Sequence, residues 1–232
     1  MAHKNQDFVG QGIYTVPEVT KLTKVPSPNI YNWLYGGSLS NKGKGNLKRN
    51  PTLTHQFNLM NHIANISFKD MIQIRFVDYF REKGVSLHTI RNASANAAKL
   101  LSTTHPFCSA KFKTDGESLL AEVCEHDGNH SLVELKNMQH VFNEVIDPFL
   151  TTLDYEQEIA ARWWHELGNK KVILDPRLNF GKPTLADNGY ATETLYDAYC
   201  ANDRSTKIVA NWFEVDKESV EYAVEFETKL AA

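Results

Sequence analysis

Residues 14–37 read YTVPEVTKLTKVPSPNIYNWLYGG, and two short helices joined by a tight turn account for the order of residue types in them. Thr15 can cap the first helix. Pro17 suits its first turn, and Glu18, three residues after Thr15, completes a capping box. Val16, Val19 and Leu22 then fall on one face. Lys24, Val25 and Pro26 break the helix, and Ser27 before Pro28 restarts it with a second cap. Ile30, Trp33 and Leu34 give the second helix a buried stripe at i, i+3, i+4 spacing, and Gly36 and Gly37 stop it. That helix turns Asn29, Tyr31, Asn32 and Tyr35 outward. These residue types reach base edges or phosphates, and Thr15 and Ser27 at the helix starts join them as candidate DNA contacts. A well-capped helical hairpin of purely structural role has the same pattern, so the residues that follow have to decide.

They favour a helix-turn-helix. Residues 41–50 form the basic, glycine-rich run NKGKGNLKRN, followed by the alternating segment TLTHQF over 52–57. A hairpin after such a helical pair is a wing, with Lys42, Lys44, Lys48 and Arg49 placed for phosphates.

The totals agree. The chain has 232 residues and a net charge of -3. Residues 1–104 hold 13 Lys+Arg against 5 Asp+Glu, whereas 105–232 hold 12 against 23. A cationic front half and an anionic rear half predict a polyanion for the first and a different partner for the second. No apolar run is long enough to span a bilayer, and the opening MAHKNQDFVG lacks the apolar core of a signal peptide. Three widely spaced cysteines, Cys108, Cys124 and Cys200, suit a reducing compartment. A cytoplasmic protein without membrane contact is expected.

Further on, Ser67 and Asp70 make a capping box for a helix over 67–83, with Phe68, Met71, Ile72, Phe76, Tyr79 and Phe80 on its apolar face. Gly84 ends it, and Ser86 opens an alanine-rich helix. A wing, a helix and then Lys83-Gly84-Val85-Ser86-Leu87-x-x-Ile90-Arg91 resemble the order and wording of MerR-type winged-helix regulators over about residues 12–101. The recognition helix of that family usually carries arginines. Here Asn29, Tyr31 and Asn32 stand instead, so affinity is expected to rest on the wing.

The middle reads as a small β meander over 110–135, with turns at Asp115-Gly116 and His126-Asp127-Gly128-Asn129. A short apolar helix is expected over 141–150, ended near Pro148. Cys124, His126, His130 and His140 match no zinc spacing, so no metal is expected. No nucleophile–base set, GxGxxG or Walker loop occurs, which points away from an enzyme and from a bound cofactor. Trp163 and Trp164 are expected in a core.

In the rear, VILDPRLNFGKP over 172–183 reads as a strand, a turn and an exit. Helices follow from Thr192, from Asp203 with Ile208, Val209, Trp212 and Phe213 inside, and from an Asp216 cap with Val220, Ala223 and Val224. Asp175, Arg177 and Gly181 read as a structural ion pair and bend. Residues 203–232 hold 4 Lys+Arg against 7 Asp+Glu, which argues against a second DNA reader. A dimer seam or partner contact through Trp212, Phe213, Val220 and Val224 fits better. Strand, Asp-Pro-Arg-x-x-Phe-Gly-x-Pro and then helices resemble the module called domain of unknown function 433. From end to end, the order of segments is similar to a group of VapB-type antitoxins. The chain departs from that pattern at residues 185–190, LADNGY.

The expected fold is therefore α+β and mainly helical. It has a MerR-like winged-helix DNA-binding domain over 1–104, a middle β/α region over 105–170 and an antitoxin-type, three-helix module over 171–232. The resemblance implies a homodimer on double-stranded operator DNA that represses its own operon and neutralises a PIN-type ribonuclease toxin. A stand-alone MerR-like regulator with a ligand- or protein-binding rear half is the alternative.

Overall fold

The structure is a computed structural model and describes residues 10–36, 38–39, 47–48, 50–57, 64–112, 147–166 and 169–232. It is α+β and mainly helical, with eight α-helices and three small antiparallel sheets among the described residues. Two compact units share the chain. The front unit takes Tyr14–Thr151 and Tyr155–Ala160; the rear unit takes Thr152–Asp154, Ala161–Ala232 and the residues before Tyr14.

In the front unit, β1 (Tyr14–Thr15) leads directly into α1 (Val16–Thr23). The capping box forms as read: the Thr15 amide donates to Glu18 Oε2 at 2.6 Å, and the Glu18 amide donates to Thr15 Oγ1 at 3.4 Å. Lys24 closes α1 in the left-handed conformation, φ 60°. Helix α2 spans Ser27–Tyr35, and its cap differs from expectation. The N-cap is Pro26, whose carbonyl accepts from the amides of Asn29 and Ile30. Ser27 is already helical. Its hydroxyl lies 3.0 Å from that of Thr20, so it locks the turn between the helices rather than capping the second.

The hairpin after α2 pairs β2 (Ser38–Leu39) with β3 (Leu47–Lys48), Ser38 opposite Lys48. The alternating segment 52–57 is not a strand. Its first amides are used elsewhere: those of Thr52 and Leu53 both donate to the Trp33 carbonyl, at 2.8 and 3.0 Å. Strand β4 (Asn65–Ile66) returns to pair with β1.

Helix α3 (Phe68–Glu82) has the expected box of Ser67 and Asp70, and it is buried on more than one face. Phe68, Met71, Ile72, Ile74, Phe76, Val77 and Phe80 are all buried, so α3 is the axis of this unit's core. Gly84 turns the chain at φ +84°, and α4 (Leu87–Leu100) starts from a Ser86 cap. The Phe76 ring then collects three more: Phe107 stacked at 5.2 Å, Phe112 edge-on at 5.6 Å and Phe149 edge-on at 5.5 Å. This cluster explains a second departure. Residues 110–112 were expected to begin a strand and are helical, which places Phe107 and Phe112 within 5.0 Å of each other. The rest of the expected meander, with Cys124, His126, His130 and His140, lies outside the described residues. Helix α5 (Asp147–Leu150) runs through Pro148 rather than ending there.

The rear sheet has strand order β5 (Leu153–Glu156), β6 (Ile159–Glu166), β7 (Asn169–Leu174), β8 (Thr184–Leu185). Trp163 faces Leu174 across β6–β7, and Val172 faces Leu185 across β7–β8. Helices α6 (Thr192–Ala201), α7 (Thr206–Phe213) and α8 (Lys217–Ala231) follow. Val172, Leu185, Leu195, Val209, Val220, Ala223 and Phe226 form one core between sheet and helices. Asp216 caps α8 as read, its Oδ1 accepting from the Ser219 amide at 2.6 Å. Helix α7 starts later than expected, because Asp203 and Arg204 are both left-handed and Ser205 is its cap. At residues 185–190 the turn is closed by the Gly189 amide donating to the Leu185 carbonyl, with Gly189 at φ +77°.

One buried group in the front core lacks compensation. Gln73 on α3 is fully buried, and neither its amide nitrogen nor its amide oxygen has a hydrogen-bond partner. An unsatisfied buried amide is costly, and an apolar side chain of the same length is not. Gln73→Met is expected to stabilise the protein by about 1 kcal/mol, read as a rise in the chemical denaturation midpoint at unchanged slope.

Candidate nucleic-acid and partner interfaces

Helix α2 carries no charged residue from end to end. Ile30, Trp33 and Leu34 face the core, and Pro28, Tyr31 and Asn32 are exposed. Asn29 and Tyr35 are half-buried on the flanks of that outward face. Among the described residues, the side-chain amides of Asn29 and Asn32 make no hydrogen bond. The Tyr31 ring leans on Tyr35 at 6.3 Å between centroids, and Tyr35 in turn packs on His55 at 4.8 Å. The Tyr35 hydroxyl lies 3.5 Å from the Asn65 carbonyl oxygen. Burial, then the nearby Asp70 and Tyr31, push that phenol up to about 12, so it stays neutral. Of the six expected contacts on the helical pair, four therefore sit on one side of α2. Thr15 and Ser27 do not join them: their hydroxyls are taken up by the α1 cap and by Thr20.

Lys48 lies in β3; Lys42, Lys44 and Arg49 fall outside the described residues. The exit of that hairpin is held from α4. Arg91 donates through Nε to the Pro51 carbonyl and through a terminal nitrogen to the Asn50 carbonyl, both at 3.0 Å. Its planar fork matches two successive carbonyls, a geometry Lys could not supply. The sequence pointed to Arg91 only as part of the Gly84–Arg91 wording; its role depends on a contact 40 residues away in the chain.

In the rear unit, Asp175 follows β7 and its carboxylate is buried. Arg177 grips it with Nε at 3.0 Å and a terminal nitrogen at 2.8 Å, and the Arg177 amide adds a third bond at 2.9 Å. The expected ion pair and bend are both present. Arg162 on β6 was not anticipated and supplies a second guanidinium, Nε to Oδ2 at 2.8 Å. After this knot the chain takes three successive left-handed residues, Asn179, Phe180 and Gly181. Asn179 holds the bend by donating to Thr184 Oγ1 and the Gly189 carbonyl, each at 3.0 Å. Phe180 is left 71% exposed at φ 58°. A left-handed aromatic residue costs about 1–2 kcal/mol, and here it holds an apolar ring in solvent.

The expected partner contacts separate on inspection. Val220 is fully buried in the rear core and cannot meet a partner. Phe213 and Val224 are partly buried against the same core, Phe213 edge-on to Tyr190 at 5.1 Å. Trp212 is 66% exposed, and Ile208, one turn before it on α7, is exposed as well. The reading that placed both inside is corrected: α7 buries Val209 and Ala210 instead. A helix with eight residues has one stripe to bury, and the larger side chains here are not on it.

The Asp175 knot sets a pH dependence. Burial alone would raise its carboxyl, but the bonds from Arg177 and Arg162 outweigh it and hold the group at about 2. The folded value is depressed, so the stabilisation is present above the unfolded value near ~3.9 and is lost as pH falls through about 2. Asp175→Asn is expected to lower stability by about 2 kcal/mol at neutral pH. Thermal melts of the two proteins should converge between roughly pH 4 and pH 2.

No family model matches the chain. It is 23% identical over 187 residues to a protein of Mycobacterium tuberculosis described as "Putative antitoxin VapB45", a match covering 76% of this chain and 78% of that one. Its fold is that of the crystal structure of Rv2018 from Mycobacterium tuberculosis, with a TM-score of 0.69 over 91% of this chain and 96% of that one at 20% identity.

Proposed function

We propose that this chain is the antitoxin of a toxin–antitoxin pair. Its front unit is a winged helix-turn-helix that binds operator DNA as a two-fold dimer and represses its own operon in the cytoplasm. Its rear unit, with the module after β7, docks onto a PIN-type ribonuclease toxin. The observation that carries this reading is the sorting of side chains on α2. A short, core-anchored helix presents Tyr31 and the side-chain amide of Asn32 outward, with Asn29 on the flank, and a lysine- and arginine-rich hairpin follows it. Uncharged amides suit base edges, and the hairpin's cations suit phosphates. The likeness to a protein described as an antitoxin supports the toxin half of the reading. An anionic rear half matches a nuclease surface built to hold RNA.

Two experiments test the halves separately. Changing Lys42, Lys44, Lys48 and Arg49 together to Ala is expected to weaken binding to the promoter fragment. The slope of log affinity against log salt should flatten by up to about 3.6; an unchanged slope would remove the hairpin from the interface. Trp212→Ala is expected to leave the melting temperature of the free protein nearly unchanged, since the ring packs little. It should weaken capture of the toxin encoded next to it roughly tenfold or more, as an exposed Trp anchor does. If the neighbouring product is harmless when expressed alone, the antitoxin reading fails.

A further inference from the structure

Resting on the proposed DNA-binding role of the front unit, we infer that α2 reads an A·T pair in the major groove, with the Asn32 amide on adenine and the Tyr31 ring against a thymine methyl. Guanine is read through paired donors from Arg or Lys, and cytosine through a carboxylate acceptor. Helix α2 offers neither, because it carries no charged side chain. What it does offer outward is an exposed, uncommitted asparagine amide. One donor and one acceptor side by side match adenine N7 and N6, and a guanine in that place would set its O6 acceptor against the amide oxygen.

Beside the half-buried Asn29, apolar surface adjoins Asn32. Pro28 lies one turn before it, Tyr31 precedes it, and both are exposed. The Tyr31 ring has a fixed support, since it leans on Tyr35, which is braced by His55. A rigid apolar edge beside an amide suits the methyl that accompanies every adenine on the opposite strand. Local stability does not explain this choice of residues. Asn and Tyr are weak helix formers, and α2 starts without a side-chain cap. A stretch that violates local preference while its core stripe is intact points to a function for the outward side.

The experiment starts with the full-length protein and a random duplex library at low ionic strength. Enriched sequences are expected to share an A·T pair in each half-site. Exchanging that pair for G·C should weaken binding roughly ten- to hundredfold. Replacing the adenine by 7-deaza-adenine should weaken the wild type and leave Asn32→Ala unaffected, which separates a groove-edge contact from a preference for DNA shape. Asn32→Ala should lose discrimination yet keep the wild-type salt slope. G·C-rich half-sites, or an Asn32→Ala protein that still discriminates, would overturn the inference while the DNA-binding role stands. Failure to bind any duplex at low salt would overturn both.

Discussion

The front unit is organised around one buried carboxylate. Asp70 is fully buried, and both oxygens are occupied. Oδ2 accepts from the Ser67 amide at 3.1 Å, both oxygens lie 3.2 Å from the Gln56 amide, and His105 Nε2 reaches Oδ1 at 2.9 Å. Three separate stretches thus converge on one side chain: the start of α3, the segment after the hairpin and the segment after α4. A buried charge is tolerated only when it is this fully bonded, and losing any one partner leaves the others around an undersolvated ion. The position of Gln56 against α3 is therefore set by a polar contact, while the aromatic cluster on Phe76 packs the apolar side of the same helix.

That arrangement marks what could be read in advance. Capping boxes at Thr15–Glu18 and Ser67–Asp70 are local, and both form. The same holds for the stripe Ile30, Trp33, Leu34 and for the Asp216 cap. Contacts over long sequence separation were not legible. Asp70 is readable as a cap from its spacing to Ser67, but nothing local announces His105 as its partner. The alternation over 52–57 resembles a strand, yet the amides of Thr52 and Leu53 are claimed by the Trp33 carbonyl and that of Gln56 by Asp70. Residues 110–112 look extended and are helical because Phe107 and Phe112 must both reach Phe76.

Periodicity also failed to rank the faces of α7. Ile208, Val209, Trp212 and Phe213 are all apolar, so hydropathy alone cannot choose which stripe is inside. The choice is made by the start of the helix. Left-handed Asp203 and Arg204 place the cap at Ser205, and that phase turns Val209 and Ala210 inward. Trp212 is then exposed by geometry rather than by chance composition. Phe180 shows the same logic more sharply, since its left-handed backbone at φ 58° leaves the ring in solvent.

On the front unit the proposed division of labour has a structural requirement: the hairpin and α2 must keep a fixed register. Two contacts provide it. The Trp33 carbonyl near the end of α2 accepts from Thr52 and Leu53, and Arg91 holds the carbonyls of Asn50 and Pro51. Trp33 is buried in the helical pair, and Arg91 belongs to α4, so the hairpin's exit is tied to two rigid elements at once. An uncharged reading face gains little affinity by itself, because phosphate contacts supply most of the binding free energy. A cationic hairpin on a loose stem would supply that affinity without orientation. In the proposed complex, a stem fixed to α2 would let the same phosphate contacts position the amide of Asn32, the route by which a helix without a single charge would specify a sequence.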